Sequence, residues 1–153
     1  MRRLPASSSS GVARLARASK IHLADAALVA AAATVTLDDL LRDGDLLGRV
    51  LETFVVAQVA PVLDLLDPPV GLFHLRDQGG RHEVDLVVER GRRVGALEVK
   101  ATAAPTRRDA RHLLWLRDEL GESFGTGVLL HTGPRAFELD ERIVAVPVST
   151  LWA

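Results

Sequence analysis

Residues 82–101 read HEVDLVVERGRRVGALEVKA, and the fold turns on this stretch. Val84, Leu86 and Val88 alternate with Glu83, Asp85 and Val87. That is the two-residue period of a strand. Arg90-Gly91-Arg92 is a turn signal. Residues 93–101 then predict a second strand, apolar at most positions but carrying Glu98 and Lys100. Two strands joined by so short a turn predict an antiparallel hairpin. Glu98 and Lys100 are two apart and so share a face, and pairing can bring Asp85 beside Glu98.

Working outward, GLFHLR at residues 71–76 predicts a strand before the hairpin, with a turn at Gln78-Gly79-Gly80. Upstream, residues 48–66 place apolar side chains at three- and four-residue spacing, a helix that Pro61 can kink or divide and Asp67-Pro68-Pro69 ends. Residues 38–48 are charged and read as turns. Residues 21–33 predict a short extended piece and then an Ala-rich helix, with Asp25 as its N-cap. Downstream, residues 106–120 predict an amphipathic helix closed by Gly121. Residues 127–131 predict a fourth, fully apolar strand. Residues 143–148 predict a fifth, placed at an edge because Pro147 cannot donate to a ladder. The order predicts an α/β fold with a mixed central sheet flanked by helices. The expected organisation is a flexible leader over residues 1–19 and one domain over residues 20–153. The leader MRRLPASSSSGVARLARASK is rich in Arg and Ser and free of acid, as transit peptides are.

Composition narrows the function. The 153 residues suffice for one domain with its own core. Nineteen basic residues against twenty acidic ones leave a net charge of −1, so no global basic field draws in nucleic acid. Any such contact needs a local basic patch. There is no cysteine, which excludes disulfides, thiolate metal sites and cysteine nucleophiles. No apolar run of about 18 residues is free of charge, so no membrane-spanning helix and no membrane partner are expected, and the expected location is cytoplasmic.

Glu98 and Lys100 interrupt an apolar strand, and buried charges there need partners. Two carboxylates side by side, Asp85 and Glu98, repel unless a cation lies between them. Their oxygens suit Mg²⁺ or Mn²⁺, and a neighbouring lysine can face a phosphate or an attacking water. The plain alternative is a solvent-facing salt bridge between Glu98 and Lys100.

These motifs resemble the PD-(D/E)XK nuclease superfamily: EVDLVVE, a hairpin, then LEVKAT. More narrowly, the chain is similar to a C-terminal domain of unknown function (domain-of-unknown-function 4143) found on bacterial and archaeal AAA-type ATPases. The matching stretches are KIHLADAALVAA, LGRVLETFVVAQV, FHLRDQGGRHEVDLVVERG, ALEVKA, GVLLHTG and VPVSTLW, spanning about residues 20–152. The resemblance implies a restriction-endonuclease-like α-β-β-β-α-β core and metal-dependent hydrolysis of phosphodiesters in DNA. It implies Asp85 and Glu98 as metal ligands, Lys100 as the group that orients water and offsets charge, and Glu52 on the preceding helix as a further ligand. Mg²⁺ or Mn²⁺ would be the cofactor. The ATPases carry a nucleotide-binding domain, whereas this chain has no G-x-x-x-x-G-K-[ST] loop. A truncated gene, a fragment and a stand-alone form all fit that difference.

Other positions carry weaker readings. Glu83, two before Asp85, is a supporting carboxylate or a surface residue. Arg90, Arg92 and Arg93 at the hairpin tip, with Arg107 and Arg108 on the next helix, can bind phosphate or simply be solvated. Gln58 lies off the face of Glu52. His82 is a proton shuttle or an exposed strand end, and His74, His112 and His131 lack metal-ligand spacing. Two competing functions remain: a non-catalytic binding or regulatory module on the same fold, and a domain that docks on an ATPase or on a second copy through the apolar helix near Leu28.

Overall fold

The computed structural model describes residues 1–6, 19–76 and 80–152. A six-stranded mixed sheet is its centre, in the order β3-β4-β5-β6-β8-β7. Strands β3 (Gly71–Arg76), β4 (Glu83–Arg90) and β5 (Arg93–Lys100) form an antiparallel meander. Then β6 (Phe124–His131) and β8 (Ile143–Pro147) add in parallel, and β7 (Phe137–Asp140) closes the edge antiparallel to β8. Helix α3 (Gly44–Asp64) covers one face, where Val55, Val56 and Ala60 meet Leu72, Leu86, Val99 and Leu130. Helix α4 (Arg111–Leu120) covers the other, where Leu113 and Leu116 meet Val84, Val87, Ala96 and Leu129. The predicted α-β-β-β-α-β order is present as α3-β3-β4-β5-α4-β6.

The hairpin forms as its residues dictate, with Gly91 at φ 61° in the turn. The alternation along β4 is broken, however. Phe73 pairs with Val87 and Leu75 with Val84, so His74 alone opposes both Asp85 and Leu86. This bulge switches faces: Val84 joins the α4-side core, and Leu86 and Val88 the α3-side core. A strict period of two therefore fails across Asp85.

Five other expectations change. Residues 38–48 are helical and not turn-like. Helix α2 (Leu37–Arg42) starts at a capping box, in which Asp39 N–H donates to Thr36 Oγ1 and Thr36 N–H donates to Asp39 Oδ2. The Asp43 carboxylate then caps α3 four residues earlier than the apolar spacing indicated. Pro61 lies within that helix rather than dividing it. Helix α4 starts at Arg111, after a turn over residues 107–110 in which Asp109 Oδ2 accepts from the Thr106 N–H and hydroxyl. Strand β8 is not at the edge. Phe137 pairs with Ala145, so the β7 ladder stops short of Pro147 and asks no N–H of it.

The expected leader also differs at its first residues. β1 (Arg2–Leu4) pairs antiparallel with β2 (Lys20–His22), and Leu4 is 1% exposed within the α3-side core. His74 N–H donates to Pro5 O at 3.2 Å, tying this small sheet to β3. Residues 7–18 of that leader, and Gln78 and Gly79 of the predicted turn, lie outside the described residues. Helix α1 (Ala27–Ala33) follows β2 after Asp25, whose Oδ1 accepts from Ala27 N–H. Helix α3 is long and apolar enough to cross a membrane, by length and composition. Here it packs on the sheet.

Candidate active site

The bulge decides where the site forms. The β4–β5 ladder runs from Arg90↔Arg93 to Leu86↔Leu97 and no further. Beyond it, Val99 N–H donates to Asp85 Oδ2 at 2.9 Å, a side chain taking the place of a strand carbonyl. A cleft of about 620 Å³ lies there, between Arg49, Glu52 and Thr53 of α3 and the first turn of α4. Glu52, Glu83, Asp85, Glu98 and Lys100 all line it, so the proposed residue set is brought together from three elements, α3, β4 and β5.

Glu98 is 3% exposed. Its Oε1 accepts from Lys100 Nζ at 2.7 Å, and its Oε2 is buried with no hydrogen-bond partner. Burial, and after it the charge of Asp85, pushes the Glu98 carboxyl up to about 8. Burial followed by the same neighbour lifts Glu52 to about 7. Burial also raises Asp85, against the pull of Lys20, the Val99 N–H and Lys100. Lys100 is raised, since the attraction of Glu98 outweighs the burial that opposes its charge. Among the described residues Lys20, Lys100 and Arg76 pair with this carboxylate group of Glu52, Glu83, Asp85 and Glu98.

Lys20 is the residue that sequence reasoning missed. Its Nζ lies 2.6 Å from Glu52 Oε1, 3.3 Å from Glu83 Oε1 and 3.7 Å from Asp85 Oδ1. Its pKa is raised, because Glu52, Asp85 and Glu83 outweigh the cost of burial. Two residues on, His22 is buried with Nδ1 3.4 Å from Thr53 Oγ1 and Nε2 3.7 Å from Glu52 Oε1. Burial and then Lys20 lower His22 to about 4, so it is neutral at pH 7 and makes no ion pair there. A signal existed: Lys20 and His22 are two apart on an extended piece and therefore share a face. Glu83 lines the cleft while partly exposed, with Oε1 3.3 Å from Lys20 Nζ and Oε2 3.9 Å from Arg76 Nε.

A divalent ion suits this donor set in chemistry, since the donors are all carboxylate oxygens and one of them is buried and unpartnered. Geometry is more restrictive. Among the described residues no group of three or more His, Asp or Glu side chains converges to hold a metal ion. The ammonium of Lys20 lies between Glu52 and Asp85, 2.6 Å from Oε1 of the one and 3.7 Å from Oδ1 of the other.

The basic residues divide differently from the expectation. Arg49, Arg76 and Arg111 line the cleft. Arg90, Arg92 and Arg93 sit at the far end of the hairpin, about 17 Å from Asp85 at five strand residues of separation. There Arg90 donates to Asp67 O and Arg93 to Glu122 O. Arg107 is paired with Asp140 across to β7. None of these, nor Arg108, lines the cleft. His112 does, whereas His82 stacks on Trp115 at 4.1 Å between centroids. His74 and His131 are buried away from it, and Gln58 is exposed, off the Glu52 face as expected.

A family model described as "Domain of unknown function (DUF4143)" matches residues 47–151. The match takes in Glu52, Glu83, Asp85, Glu98 and Lys100, while Lys20 and His22 precede it. Neither a curated protein nor a solved structure matches the chain.

Proposed function

The chain belongs to the DUF4143 family, and on that premise we propose that it is a divalent-cation-dependent nuclease of the PD-(D/E)XK type, hydrolysing phosphodiesters in DNA. One observation carries the reading: the unpartnered, buried Glu98 Oε2 beside Asp85, with Lys100 held on the same strand face. Asp85 and Glu98 would hold Mg²⁺ or Mn²⁺, with Glu52 on the facing helix beside them. When bound, the ion would polarise a phosphoryl oxygen and lower the pKa of a water. Lys100 presents a fixed cation beside that position, suited to orienting the water and offsetting negative charge that builds on phosphorus. Arg49, Arg76 and Arg111 at the cleft rim supply charge for flanking phosphates, which an acidic floor alone would repel.

Incubation of plasmid DNA with the protein and Mg²⁺ or Mn²⁺ tests this. The wild type should cut, and Glu98→Ala should not. Lys100→Met should slow cutting by roughly 10²–10³-fold. No cutting by the wild type, or equal cutting by wild type and Glu98→Ala, sinks the proposal.

A second reading is a non-catalytic module on this fold, docking on an ATPase or another partner. The absence of a converging three-carboxylate group among the described residues favours it. That module would gain no thermal stability from millimolar Mn²⁺, whereas a working site would.

A further inference from the structure

The position of Lys20 says how many ions such a centre takes. Its Nζ sits within 2.6–3.7 Å of carboxylate oxygens from Glu52, Glu83 and Asp85. Three carboxylates around one positive point is how a protein arranges oxygens for a cation. Phosphodiester-cleaving sites that use two ions place them about 3.5–4 Å apart, one on each side of a shared carboxylate. Here Lys20 Nζ lies 3.7 Å from Asp85 Oδ1 and 2.6 Å from Glu52 Oε1, while Glu98, whose Oε2 has no partner, and Lys100 also lie close enough to Asp85 to feel its charge.

We propose that Lys20 is the built-in second cation of this site, so that the cleft takes one divalent ion, between Asp85 and Glu98, while Glu52 serves Lys20 and not a metal. A second ion beside Lys20 would place two cations in one carboxylate nest, where they repel each other. The anchoring also fits a permanent role. Lys20 lies on β2, whose partner β1 buries Leu4 in the α3-side core, and His22 on the same strand face packs against Thr53 of α3. The ammonium is therefore held by the fold rather than swinging on a surface side chain. Its side chain is still 28% exposed, which leaves a face open toward a substrate phosphate.

The proposal rests on the cleft being a divalent-cation site, and ion counting separates the two. Mn²⁺ alone is titrated by calorimetry into the wild type, Lys20→Met and Lys20→Arg. The wild type should bind one ion per chain and Lys20→Arg one. Lys20→Met should bind two, the second lost again in Lys20→Met/Glu52→Gln. Glu52→Gln alone should leave the wild-type ion in place. Two ions in the wild type, or loss of its ion in Glu52→Gln, overturns the role given to Lys20 whether or not DNA is cut. One ion in a folded Lys20→Met also overturns it. One ion in the wild type without any DNA cleavage overturns the nuclease reading and leaves Lys20 as assigned. No ion in any form overturns both. If Lys20→Met fails to fold, the wild-type and Glu52→Gln counts decide.

Discussion

A buried carboxylate without a full set of partners is costly, and Glu98 carries that cost. Its pKa in the folded chain is about 8 against the ordinary 4.5. The folded chain therefore keeps a proton that the unfolded chain releases. The stability this provides is complete below about pH 4.5 and is lost as pH rises toward 8. Urea denaturation in chelator should show the wild type weakening between about pH 5 and pH 8, and Glu98→Gln weakening much less, a difference on the order of a few kcal/mol at the upper end. Glu52, lifted to about 7, adds a smaller slope of the same sign in both proteins. Equal slopes for the two proteins would show that Glu98 is not the titrating group.

Between elements, the decisive joint is where β4 and β5 stop pairing. Asp85 does two things there: Oδ2 accepts the Val99 N–H, and Oδ1 faces Lys20. The two roles separate by substitution. Asp85→Asn keeps an acceptor for Val99, so its stability should stay near wild type while ion binding falls. Asp85→Ala leaves the Val99 N–H unpaired beside the α3-side core and should cost about 1–3 kcal/mol. Thermal and urea melts of the pair read this directly. Identical melts would mean that water replaces the carboxylate at Val99. The bulge opposite His74 belongs to the same joint. It turns β4 over between Val84 and Leu86, so that the strand can feed both cores and still aim Asp85 into the cleft.

Across the whole molecule, the cleft is assembled from segments far apart in sequence. The two-stranded β1–β2 sheet brings Lys20 and His22 to α3, and Leu4 fastens that sheet to the core. Leu4→Ala should cost about 2–5 kcal/mol by urea melt, as truncation of a fully buried leucine does. It should also weaken the hold of Lys20 on Glu52, read as faster hydrogen exchange in residues 19–23. A surface-like cost below about 0.5 kcal/mol would mean the first residues do not pack as described. The exposed apolar side chains Leu37, Leu41, Val62 and Leu65 lie on α2 and the end of α3, away from the residues that line the cleft.

The sequence by itself determined the parts whose signals are local. Alternation and a Gly turn specified the β4–β5 hairpin, three- and four-residue spacing specified α3, and the E-x-K pair put Glu98 and Lys100 on one face. The capping residues Thr36, Asp39 and Asp43 were equally local, and they went unread because their segment is charged. The tertiary structure decided what depends on contact between distant segments. It placed β7 outside β8, turned β4 over at Asp85, and left the hairpin arginines far from the cleft while bringing Arg49, Arg76 and Arg111 to it. Above all it set Lys20 among three carboxylates. The nearest of those in sequence is 32 positions away, and no periodicity reports a distance of that kind. Charge pairing across such a gap exists only once the chain has packed, and here it changes the meaning of Glu52 from a metal ligand to the partner of a lysine, as proposed above.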